Sequence, residues 1–214
     1  MKRKILSKLI EWKNKKNRKP LIVNGARQVG KTYILKEFGS HYYEKMAYVN
    51  CDKNKTLDKI FSQDYNISRI LLSLSAILHV NIEPENTLII FDEIQENPTV
   101  LNSLKYFCED ASQYHVAVAG SLLGISLHRD TSFPVGKVDM IKMYPMTFDE
   151  FLMAIDEQPL VDVLASKDFS IIDSLSVRLI DRLRQYYYVG GMPAAVAEFA
   201  LTKNLEEVRN IQKQ

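Results

Sequence analysis

Apolar positions in this chain fall into short unbroken runs separated by segments in which they recur every third or fourth residue. The runs at 20–24 (PLIVN), 46–50 (MAYVN), 87–92 (TLIIFD), 115–120 (HVAVAG) and 137–144 (KVDMIKMY) predict five strands. TLIIFD and HVAVAG are almost wholly apolar, as a strand covered on both faces must be. Between the runs, helical spacing predicts helices over about 31–40, 66–79 and 98–112. Strands alternating with helices specify an α/β class: a parallel five-stranded sheet with helices on both faces.

Beyond residue 146 the pattern is helical throughout. Thr147 followed by Glu150 is a capping box opening a helix through Phe151 and Leu152, and a second, longer helix is expected from about Ile171 to Tyr188. GGMP at 190–193 breaks the chain, with Pro193 placed as the first residue of a further helix. The expected organisation is a basic N-terminal helix over 1–19, a core over 20–146, and a helical extension over 147–214.

The chemistry begins where the first strand ends. Gly25, Ala26, Arg27, Gln28, Val29, Gly30, Lys31 and Thr32 match G-x-x-x-x-G-K-[ST], with a strand before and a helical pattern after. Gly25 and Gly30 allow backbone angles and close approaches that a Cβ would block, so that successive N–H groups can face phosphate oxygens. In that reading Lys31 brings charge to the β and γ phosphates, Thr32 brings a hydroxyl to Mg²⁺, and the following helix adds the positive end of its dipole. The cofactors so implied are ATP and Mg²⁺. TLIIFDEIQ then delivers Asp92, a second Mg²⁺ ligand, and Glu93, a carboxylate suited to polarise an attacking water. The extra strand MAYVN between loop and Asp-Glu pair marks the P-loop class with an additional strand and a catalytic glutamate.

GARQVGKT, TLIIFDEIQ, AGSLLG, SFPVGKVDMIKMYPMTFDEFL and YYYVGGMPAAV, in this order, resemble a large family of prokaryotic AAA-type ATPases. The resemblance implies ATP and Mg²⁺ chemistry at Lys31, Thr32, Asp92 and Glu93. It likens Ser121 to the polar sensor position, where a side chain meets the γ phosphate or the attacking water. It implies that the helices after residue 146 form a small lid or begin a winged-helix module. Members of that family continue into a C-terminal domain of unknown function, proposed to be nuclease-like, so the resemblance makes this chain their N-terminal ATPase part.

Charge changes the picture at one place. Residues 1–20 hold nine Lys or Arg (Lys2, Arg3, Lys4, Lys8, Lys13, Lys15, Lys16, Arg18, Lys19) against Glu11, within a chain whose net charge is only +2. Such an arm suits nucleic acid. The stripe Ile5, Leu6, Leu9, Ile10 and Trp12 equally suits a helix docked on the body. Arg129, Lys137, Arg178, Arg182 and Arg184 are candidates to balance transition-state charge, and Arg27 and Gln28 to touch phosphate or a neighbouring subunit. Cys51, Cys108 and the four histidines (His41, His79, His115, His128) lack metal-ligand spacing, and Tyr186, Tyr187 and Tyr188 read as packing. With 46% hydrophobic residues, no 20-residue apolar run and no signal peptide, a cytoplasmic protein is expected, with a homo-oligomer as a further partner. Three readings stay open: a slow Mg-dependent ATPase, an ATP-gated interaction module with negligible turnover, and a nucleic-acid-binding protein.

Overall fold

The computed structural model describes residues 2–121 and 134–213, so Gly124, His128 and Arg129 lie outside the described residues. The chain divides into two compact units, Ile5–Met143 and Met1–Lys4 with Tyr144–Gln214.

The first unit holds α1 (Ile5–Lys13), β1 (Leu21–Gly25), α2 (Lys31–Tyr42), β2 (Lys45–Asn50), α3 (Lys55–Gln63), α4 (Ile67–Leu78), β3 (Thr87–Asp92), α5 (Pro98–Asp110), β4 (His115–Gly120) and β5 (Asp139–Met143). All pairings are parallel, in the order β2-β3-β4-β1-β5. This is the expected five-stranded α/β sheet. MAYVN forms β2, but it lies on the sheet edge; the strand that separates the loop strand β1 from the Asp strand β3 in space is β4. β3 and β4 are buried at every position, which explains their unbroken apolar sequence.

Register fixes where the strands end. Asn50 pairs with Asp92, Asn24 with Gly120, and Gly25 with Met143, so five carboxyl ends share one edge of the sheet. In open α/β sheets ligands bind outside that edge. Behind it the core is filled by Phe61, Phe91 and Phe107 with Leu57, Ile70, Leu74 and Leu104. Each such side chain contributes about 1.5–3 kcal/mol of burial.

Two helices differ from expectation. α3 was not foreseen by the strand-and-helix pattern; Asn54 caps it by accepting the Leu57 N–H at 3.2 Å, and Leu57 and Phe61 anchor it. α1 covers nine residues, fewer than the basic stretch 1–19. Ile5, Leu9 and Trp12 are its buried face, and Trp12 packs on Phe38 and His115 while its indole donates to Lys19 O at 2.8 Å.

The second unit is built in its described elements from helices alone: α6 (Phe148–Ala154), α7 (Gln158–Ser166), α8 (Phe169–Ser174), α9 (Ser176–Val189), α10 (Pro193–Thr202) and α11 (Leu205–Gln212). The Thr147–Glu150 capping box forms, and Pro193 opens its helix as expected. α7 is a helix that the apolar pattern does not predict. The long helix expected from 171 to 188 is instead two, parted at Leu175, where φ −106° and ψ 10° leave helical geometry. Gly191 is required by contact: a Cβ there would sit 2.4 Å from Met146 O, and Met146 N–H donates to Gly191 O. Tyr186 packs on Phe148 and Phe151 and donates to Met146 O at 2.8 Å, a packing role, whereas Tyr187 is exposed.

Candidate functional site

A cavity of about 730 Å³ opens at the carboxyl edge of the first unit. Arg27, Gln28, Gly30, Lys31, Thr32, Glu93 and Ser121 line it, as do Tyr33, Asn50, Asp52 and Glu96. Those last four were not anticipated. Asn50 and Asp52 come from the end of β2, and the pairing of Asn50 with Asp92 is what carries them here; no local motif announces it.

The two glycines of the loop act differently. Gly30 has φ 91° and ψ 26°, the left-handed conformation in which a side chain is strained, and it turns the chain into α2. Gly25 has no such angle; a Cβ there would lie 2.3 Å from Met143 O, so the residue is small because β5 passes against it. Gln28 also holds positive φ, at 64°. Val29 is buried and pins the loop to the core.

Lys31 is 9% exposed, and its ammonium donates to Gly25 O at 3.0 Å and Ala26 O at 2.7 Å. Burial pushes its pKa down, while the nearby carboxylates of Glu93 and Asp92 oppose that shift and Arg27 adds to it. Thr32 Oγ1 donates to Asp92 Oδ2 at 2.8 Å, across 60 residues of sequence. Tyr48 OH donates to the same oxygen at 2.9 Å, and Glu93 N–H donates to Asp92 Oδ1 at 3.1 Å. Asp92 is thereby fixed by three donors at 5% exposure. Tyr48 is pushed up to about 12, by burial first and then by its bond to Asp92, so it stays a donor.

Glu93 adopts φ 50° and ψ 45°, left-handed for a residue with a Cβ, and leads into a 3₁₀ turn over Ile94–Glu96. That turn directs its carboxylate to the cavity, where Gln95 Nε2 donates to Glu93 Oε2 at 2.5 Å. Ser121 stands at the same edge directly after β4, with its N–H on Gln95 Oε1 at 3.2 Å.

The site's donor set fits the groups it was expected to hold. A hydroxyl and a carboxylate in contact are hard oxygen ligands, and Mg²⁺ uses one or two carboxylates together with substrate phosphates rather than a protein cage. No cluster of three or more His, Cys, Asp or Glu that could itself cage a metal ion occurs among the described residues. A buried ammonium that donates, among the described residues, only to carbonyl oxygens, beside a left-handed glycine, suits a phosphate.

Other candidates are occupied elsewhere. Arg178 and Arg182 both pair with Glu157, at 2.6 and 2.8 Å, and Lys137 pairs with Glu109 at 2.8 Å. In the basic arm, Arg3 bonds Glu150, Lys4 Asp149 and Lys15 Asp139, while Lys13, Arg18 and Lys19 donate to backbone carbonyls. His115 is buried at the start of β4 with Nδ1 on Tyr43 OH; burial pushes it down to about 4, so it is neutral. Cys51 is buried, its thiol pushed up to about 12 by desolvation, and Cys108 is half-buried. No described helix is long and apolar enough to cross a membrane.

A family model described as AAA domain matches residues 17–152. Among solved structures the chain is similar to C. elegans PCH-2, at 11% identity over 73% of this chain and 45% of that one, with a TM-score of 0.43. It is also similar to Cdc6p from Pyrobaculum aerophilum, at 13% identity over 65% of this chain and 42% of that one, with a TM-score of 0.38. It thus spans less than half the length of either. No curated protein matches the sequence.

Proposed function

The chain belongs to the AAA domain family, and from that premise we propose that it binds Mg·ATP at Gly25–Thr32 and hydrolyses it slowly, Glu93 orienting the attacking water. The observation that carries this reading is the Thr32–Asp92 contact at 2.8 Å, in a cavity that Lys31 and Glu93 also line. It joins a loop hydroxyl to a strand-end carboxylate beside a cation and a second carboxylate.

In this reading the backbone N–H groups of Gly25, Ala26, Arg27, Gln28, Val29 and Gly30 and the Lys31 ammonium bind the phosphates. Thr32 and Asp92 hold Mg²⁺, which when bound neutralises charge on the phosphate oxygens. Glu93 accepts a proton from water at its carboxylate, Ser121 orients that water or the γ phosphate, and Tyr48 holds Asp92 in place. Arg27 is the arginine among the described cavity-lining residues. The candidates Arg178 and Arg182 are engaged with Glu157 and Lys137 with Glu109, and in this reading a second copy of the chain supplies the transition-state cation.

Mg²⁺-dependent phosphate release by wild type and Glu93→Gln tests the reading. The amide keeps the shape and loses the base, so turnover falls by roughly 10² to 10⁴ with ATP affinity little changed. Equal turnover in both proteins overturns the catalytic role and leaves an ATP-gated switch.

A further inference from the structure

Gln95 is 6% exposed, does not line the cavity, and yet touches both of its reacting ends. Its Nε2 donates to Glu93 Oε2 at 2.5 Å, and its Oε1 accepts the Ser121 N–H at 3.2 Å. The orientation of the amide follows from its neighbours. A carboxylate oxygen can only accept and a backbone N–H can only donate, so exchanging the two amide atoms would break both bonds. Glutamate could serve Ser121 but would repel Glu93; methionine would serve neither.

We propose that Gln95 is a positioning residue that couples the end of β4 to the carboxylate of Glu93. The inference rests on the hydrolysis reading for its consequence, though not for its geometry. Glu93 sits in a left-handed conformation on a 3₁₀ turn, a backbone that its neighbours must hold in place. Gln95 belongs to that turn, and its side chain ties the turn to a strand end 26 residues away in sequence. A displacement of Ser121, such as contact with a γ phosphate would produce, therefore passes through one rigid amide to Glu93 Oε2. The other carboxylate oxygen, Oε1, is left to take the proton from water. Because the amide is buried and pre-set, it sets where the base stands without meeting nucleotide.

Two variants separate the two bonds. Gln95→Glu keeps an acceptor for Ser121 and removes the donor to Glu93, and Gln95→Met, of similar length, removes both. The measurements are amide hydrogen exchange at Ser121 without nucleotide, ATP affinity by calorimetry, and Mg²⁺-dependent turnover. Exchange at Ser121 is expected to stay slow in wild type and Gln95→Glu and to quicken at least tenfold in Gln95→Met. Turnover is expected to fall about 10- to 100-fold in both variants, the worth of a hydrogen bond to a charged group, with affinity within about threefold of wild type. In a Glu93→Gln background the same substitutions should cost nothing further, because they act through the carboxylate that is gone. Wild-type exchange at Ser121 in Gln95→Met, or turnover losses that multiply with that of Glu93→Gln, overturn the proposal. If wild type shows no turnover, the hydrolysis reading fails, the exchange data decide whether Gln95 holds the Ser121 amide, and wild-type exchange in Gln95→Met still overturns the proposal.

Discussion

Both units bury charge, and they do different things with it. In the helical unit Glu150 is 4% exposed and meets Arg3 Nε, Lys4 N–H and the Thr147 N–H. Glu157, at 6%, takes Arg178 on one oxygen and Arg182 on the other. These are closed sets: each carboxylate is met by a cation, and Glu150 by two backbone donors as well. In the sheet unit Lys31 and Asp92 are also buried, but among the described residues Lys31 donates to carbonyl oxygens alone, and it shares a cavity with Glu93. A buried charge marks a site when its natural counter-charge is missing from its contacts. When the counter-charge is present, the group holds the fold.

The largest test of that contrast concerns the arginines. If Arg178 and Arg182 are structural and a second copy of the chain supplies the transition-state cation, as proposed, each chain alone lacks an arginine worth about 10³ to 10⁵ in rate. Turnover per chain should then rise steeply with protein concentration. A rate that is fast and constant on dilution would place a complete site in one copy.

A second test lies at the opposite edge of the sheet. His115 is buried neutral, its pKa pushed from 6.5 down to about 4, chiefly by desolvation. The unfolded chain binds the proton near pH 6.5 and the folded chain only near 4, so the unfolded state gains protons first as pH falls. The His115 contribution to stability should be constant above pH 6.5 and lost toward pH 4, by up to about 3 kcal/mol. Urea unfolding at several pH values should show this, and His115→Phe should flatten the decline.

The smaller effect is expected at Glu157. Glu157→Gln keeps volume but takes the carboxylate from Arg178 and leaves Arg182 with the exposed Asp181 at 3.2 Å. Breaking a fully buried pair costs about 3–5 kcal/mol. Arg178 is 58% exposed at its side chain, so solvent screens its share and about 2 kcal/mol is expected. Denaturant melts should show that loss with ATP affinity unchanged; an effect on affinity would break the division between closed and open charge sets.

The sheet unit was the more legible in sequence. TLIIFD and HVAVAG read as buried strands because burial on both faces leaves no alternation to obscure them. The loop glycines and the Asp92-Glu93 pair announced themselves through spacing. Gln95, Asn50, Asp52 and Tyr48 did not, because their roles depend on register between β2, β3 and β4, which no local pattern encodes. α3 was readable after all: Asn54 before Leu57, Ile60 and Phe61 is a cap ahead of a helical stripe. The break at Leu175 was not, since neither glycine nor proline marks it. The basic arm was ambiguous in composition, and packing of Trp12 against Phe38 and His115 is what makes part of it a docked helix.

In the reading proposed above, the cavity at the carboxyl edge is a nucleotide phosphate site completed by Lys31. Calorimetric titration of wild type and Lys31→Ala with Mg·ATP, beside thermal melts of both, tests it most directly. Wild type should give a saturable heat and Lys31→Ala none detectable, with the fold intact in the variant. Wild-type affinity in Lys31→Ala would contradict it.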